Sequence, residues 1–157
     1  MTREKLIQSA ETIGPFSETV AKEIYDKRER IVSEVNRIML ERDDLKRLIG
    51  DGNLEMMLNN HSNHGRFLVS LLVCFDTSVL VDTVTWVFRA YRSHGFKLTY
   101  WPTQLNVWID VYKQELSPMA FDEVEPLYTW FLISQPFFVA LSEEPDASEG
   151  FHGSTAE

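Results

Sequence analysis

The stretch LEMMLNNHSNHGRFLVSLLVCF, residues 54–75, carries a polar island, Asn59-Asn60-His61-Ser62-Asn63-His64-Gly65, inside an otherwise apolar run. Read as a helix at about 100° per residue, it places His61 and His64 on one stripe with Leu54, Met57, Leu68, Leu72 and Phe75. Asn60, Asn63 and Arg66 fall away from the centre of that stripe. Both imidazoles are therefore expected to face the core, and Gly65 leaves room for a close approach. A buried polar group is costly unless it is hydrogen-bonded or ligated. The pair is the first candidate site.

Outward from this segment the chain reads as helices divided by clear punctuation. A short helix over Arg3 to Ala10 ends before Gly14-Pro15. Ser17 caps a long amphipathic helix to about Leu40, with Glu18 in its first turn. Its stripe is Val20, Ile24, Ile31, Val35 and Ile38, and Glu23–Lys27 and Asp26–Arg30 are spaced as i, i+4 pairs. Arg28 and Arg42 fall on the same stripe, so packing on its own domain is expected in place of a coiled coil. Asp43-Asp44 opens a short helix stopped by Gly50.

After Asp76-Thr77-Ser78 a helix runs to about His94, with Gly95 as its stop. Leu80, Val84, Val87 and Tyr91 form its inner face, broadened by Val81 and Phe88. Trp86 lies off that face and marks a second apolar surface, for another helix or a subunit interface. Pro102 suits the first turn of the next helix, whose stripe is Leu105, Trp108, Ile109, Tyr112 and Leu116. Asn106, Asp110 and Lys113 face water. Ser117-Pro118 begins a short helix, Pro126 restarts the chain, and Leu127 to Leu141 forms a central apolar helix bent or broken at Pro136. With no sustained alternation and no internal repeat, the fold class is all-α. The expected layout is one compact helical domain over 1–141 and an acidic, disordered tail over 142–157.

The 157 residues suit one domain. The net charge of −9 opposes general nucleic-acid binding. Five acidic residues without a Lys or Arg sit in the tail, so the body is nearer −4. No apolar run approaches the roughly 18 residues of a membrane span, and the N-terminus is no signal peptide. A lone cysteine, Cys74, cannot form an internal disulfide, which points to a cytoplasmic location. There is no Gly-rich phosphate loop and no serine-nucleophile motif. The one Glu-x-x-His, Glu149 to His152, lies in the tail, away from any core helix that could build a di-iron site. Nothing in the sequence argues for catalysis.

His61 and His64 have three readings: structural groups bonded to carbonyls or amides, ligands of a metal ion or haem, or walls of a pocket for a small anionic or apolar ligand. The aromatic residues are by default core filling. Among them Trp86, Tyr91, Trp101 and Trp108 are the candidates for a pocket or an interface. No cofactor is required, though haem, another tetrapyrrole or a metal ion could be held by His61 or His64.

From about His64 to Leu141 the pattern resembles the helical sensor regions of bacterial regulators. The carrying residues are Arg66-Phe67-Leu68, the Asp76-Thr77-Ser78 break, Val84-x-Trp86-Val87-Phe88-x-x-Tyr91-x-x-His94-Gly95-Phe96, and the Leu105 to Leu116 helix. Such regions precede cobalamin-binding or anti-sigma-antagonist modules, and some are globin-like without haem, as in stressosome proteins. The resemblance implies a globin-like fold, a homodimer, signal reception and no catalysis. No output module accompanies the helices, so the expectation is a receiver acting through a separate partner protein. The Ser17–Leu40 helix and the Trp86 surface are the expected dimer contacts. The alternative is a globin-like haem, tetrapyrrole or metal protein using His61 or His64.

Overall fold

Among the described residues, four of the seven helices start at a side chain that caps them. In the computed structural model, which describes residues 1–145, Thr2, Ser17, Asp76 and Ser117 each accept a hydrogen bond from the backbone amide three residues on. The elements are α1 (Arg3–Ala10), α2 (Glu18–Leu40), α3 (Leu45–Ile49), α4 (Leu54–Val73), α5 (Thr77–Arg92), α6 (Tyr100–Glu115) and α7 (Pro118–Glu143), with no strand among the described residues. They form one compact all-helical domain. No helix among the described residues is long and apolar enough to cross a membrane.

The chain folds around α6. On one side α2 packs on α4 and α6; on the other, α7 packs on α6 and α5, and α1 closes over α5 and α7. Because α6 is sandwiched, it buries more than one stripe: Trp101, Gln104, Val107 and Val111 are buried as well as the expected Leu105, Trp108, Tyr112 and Leu116. The stripe of α2 is used inside the domain through Val20, Ala21, Ile24, Ile31, Val35 and Met39. Consecutive helices α4 and α5 are not among the closely packed pairs, and the space between them matters below.

The polar links are few and specific. Ser117, the cap of α7, donates from its amide and hydroxyl to Glu23 of α2 at 2.8 and 2.7 Å. Ser17, the cap of α2, donates in the same way to Glu123 of α7 at 2.5 and 2.9 Å. The two helix starts are thus held reciprocally. Burial alone would raise the Glu23 carboxyl, but the Ser117 bonds and Lys27 outweigh it and the net shift is downward. Glu23 pairs with Lys27 as expected, at 3.4 Å. Asp26 does not pair with Arg30; it takes Lys22 at 2.9 Å, while Arg30 reaches Glu115 at 2.6 Å.

Two expectations about α7 are corrected. It is one continuous helix with Pro126 and Pro136 inside it, not a short helix followed by a broken one. A proline removes one backbone hydrogen bond and crowds the preceding turn, a cost of about 3 kcal/mol in a helix interior. Both rings lie on the exposed face of α7, so the carbonyls they leave unbonded can be hydrated. Burial of Val124, Leu127, Tyr128, Phe131 and Phe138 on the opposite face outweighs the loss. The helix also continues to Glu143, so the segment expected as a tail begins in helix; residues 146–157, including Glu149 and His152, lie outside the described residues. The histidine helix ends earlier than expected, at Val73, with Phe75 outside it and Leu54 exposed at its start.

Candidate ligand pocket

Gly65 does leave room, and another helix takes it. A Cβ there would stand 2.9 Å from Cγ2 of Val32, so α4 rests directly on α2 at this point. With that contact fixing its rotation, α4 turns His61 and His64 toward α6 and α7.

His61 is fully buried and bonded at both nitrogens: Nδ1 is 2.6 Å from Oδ1 of Asn36 and Nε2 is 3.0 Å from the Tyr100 hydroxyl. The Tyr100 hydroxyl also lies 3.0 Å from Oδ1 of Asn60. Asn36 and Asn60 are amides whose two ends can exchange, so one amide rotation satisfies a neutral imidazole at both nitrogens. Asn60, expected off the stripe, is therefore buried as the far end of this network. Burial lowers the His61 imidazole to about 4, and it is neutral near pH 7.

His64 faces a different group. Its ring stacks on Trp108 with centroids 4.2 Å apart, and Nε2 lies 2.7 Å from the Tyr128 hydroxyl, itself 2.8 Å from the Tyr112 hydroxyl. Burial raises both phenols, which stay protonated. Every hydrogen in the chain is used if Tyr112 donates to Tyr128 and Tyr128 donates to Nε2, which puts the imidazole proton on Nδ1. Nδ1 has no partner among the described residues. Burial, with a smaller contribution from His61, lowers the His64 imidazole to about 3.

His64 is only partly covered because it borders a cavity of about 300 Å³ between α4, α5, α6 and α7. This volume is at the lower end for small-molecule sites. Of the residues expected at a pocket or interface, His64, Trp86, Tyr91 and Trp101 border the cavity, whereas His61 and Trp108 do not. Trp108 is fully buried core, tied to Gln104 by its indole N–H at 2.9 Å. Trp86 stands at the cavity with 61% of its surface exposed, so no other helix among the described residues covers the second surface it marks. The inner face expected for α5 is divided. Leu80, Val81 and Phe88 are buried, while Val84, Val87 and Tyr91 are half-buried against the cavity.

No Asp, Glu, Lys or Arg among the described residues borders this space. Two of its wall residues carry a buried donor without a partner among the described residues: Nε1 of Trp101 and Nε2 of Gln135. Gln104 and Gln135 are wall residues that helical spacing had not singled out. Gln135 was visible by the logic that exposed the histidines, as a lone amide in the apolar run Leu127–Leu141. No cluster of three His, Cys, Asp or Glu side chains able to hold a metal ion occurs among the described residues. No protein-family model, curated protein or solved structure matches the chain.

Proposed function

We propose that this protein is a globin-like helical sensor or regulatory domain, which takes a small ligand between α4 and α5 and answers through protein–protein contact. In this reading it is a homodimer, located in the cytoplasm, and acts on a separate output protein. The supporting observation is the position of Trp86, which borders the cavity and yet is 61% exposed. An occupant of the cavity and a partner on the outer face of α5 would meet the same side chain. Val79, two turns earlier on that face, is exposed as well, with the Arg3–Asp82 ion pair between the two. Of the two expected dimer contacts, the stripe of α2 is covered by α4 and α6, which leaves the Trp86 surface.

Light scattering at tens of micromolar tests the interaction. The wild type should be a dimer, and Trp86→Ala should weaken association by about tenfold or more, the loss typical of an aromatic anchor at an interface. A strict monomer at that concentration removes the dimer from the proposal.

A tetrapyrrole reading is favoured by one observation: His64 borders the cavity with Nε2 beside the Tyr128 hydroxyl and Nδ1 unpartnered among the described residues, and in the other tautomer Nε2–H donates to Tyr128 and Nδ1 is free to ligate. A metal ion alone does not fit, because His64 is the only His, Cys, Asp or Glu among the residues bordering the cavity. An absorption spectrum of the purified protein with metal analysis decides: a Soret band lost in His64→Ala supports the tetrapyrrole, and its absence removes it.

A further inference from the structure

We infer that the cavity selects an uncharged, mainly hydrocarbon ligand that carries a hydrogen-bond acceptor such as a ketone, ester or amide carbonyl. The inference rests on the ligand-binding reading above and specifies its chemistry. Three features of the wall converge on it.

The first is charge. Among the described residues no ionisable carboxylate, amine or guanidinium borders the cavity, and the one imidazole that does is neutral near pH 7. An ionised ligand would lose its hydration and gain no counter-charge, which is the costly case for burial. The second is the apolar body of the wall, supplied by Phe67, Leu71, Val84, Leu105, Phe131 and Phe138 among others. Such a surface favours hydrocarbon and gives little to a polar skeleton.

The third is the kind of polar group left open. The nearby acceptors are engaged: Oε1 of Gln104 takes the Trp108 indole N–H, Oδ1 of Asn63 takes Arg66, and Asn60 is tied to Tyr100. The two wall-residue polar atoms that are buried without a partner among the described residues are both donors. Nε1 of Trp101 and Nε2 of Gln135 belong to cavity-wall residues, Trp101 is only 3% exposed, and both N–H groups are buried without a partner. A buried donor without an acceptor is destabilising, and a ligand oxygen that supplies one gains what the free protein lacks. A ligand whose only polar group is a donor gains nothing from the Trp101 indole, which has no acceptor to offer.

A matched set of probes on one ring skeleton tests this: naphthalene, acetylnaphthalene and naphthoate at pH 8, titrated by calorimetry into the full chain. Acetylnaphthalene should bind about fivefold or more tightly than naphthalene, the gain of one net hydrogen bond. It should also exceed naphthoate by about tenfold or more, because the anion finds no counter-charge. In Gln135→Leu and in Trp101→Phe the preference for the ketone over naphthalene should shrink, and naphthalene binding itself shows that each variant is folded with its cavity intact. Naphthoate binding as tightly as the ketone, or a ketone preference untouched by both substitutions, overturns the inference and leaves the ligand-binding reading standing. If none of the three probes binds, the inference and the reading beneath it fall together.

Discussion

His61 and His64 are three residues apart on one helix and have different roles. His61 is a structural group whose nitrogens hold Asn36 and Tyr100; His64 is a wall residue held by Tyr128 and Trp108. His61→Ala strands two buried partners and should lose about 1–3 kcal/mol for the unsatisfied groups, plus a cavity term, by chemical denaturation. His64→Ala, which strands only the Tyr128 hydroxyl, should cost less. Both imidazoles lie below their ordinary 6.5 in the fold, at about 4 and about 3. As pH falls, the unfolded chain takes up these protons first. The stability that depends on their neutrality is whole above pH 6.5 and is lost as pH falls toward 4 for His61 and toward 3 for His64. Unfolding free energy should fall by about 2–3 kcal/mol between about pH 7.5 and 5.5, before most carboxylates titrate. His64→Asn should remove roughly half of that fall; a flat profile in the wild type would mean that the imidazoles are not held neutral. The inward turn of both residues is legible from helical spacing. Their division into core and wall is not, because it depends on tyrosines from α6 and α7 far away in the chain.

Among the helices, two contacts fix how α2 meets α4 and α7. The first is Gly65 against Val32. Alanine at Gly65 should gain about 1 kcal/mol in helix propensity. It should lose about 1–3 kcal/mol by overpacking against a stiff β-branched neighbour, so the net change is destabilising. In a Val32→Ala background the sign should reverse, since the obstructing methyl is gone; a loss of equal size in both backgrounds would place the close approach elsewhere. The second contact is the reciprocal serine–glutamate clamp. Ser117→Ala should cost about 1–2 kcal/mol as a lost cap, and a double-mutant cycle with Glu23→Ala should show coupling of about 0.5 kcal/mol or more. Additive losses would reduce the clamp to two independent caps. The starts of α2, α5 and α7 were readable because Ser17, Asp76 and Ser117 are local signals that the fold uses. The continuity of α7 was hidden, since Pro126 and Pro136 read locally as breaks and only tertiary burial of the opposite face overrides them.

At the scale of the molecule, all-α packing follows from the chain's periodicity, but the cavity does not. Its existence depends on two consecutive helices, α4 and α5, staying apart while each packs elsewhere, and no pattern along either helix announces that. Val84 and Val87 read from sequence as ordinary core and are in fact its lining. The central claim is that this space is a preformed apolar site, and calorimetric titration of naphthalene into the wild type and into Val84→Phe tests it most directly. The extra ring of the variant should occupy the cavity, so naphthalene should bind the wild type and fail to bind Val84→Phe, whose stability is unchanged or raised. Binding retained within about twofold in a folded Val84→Phe, or absent from the wild type, would contradict the account.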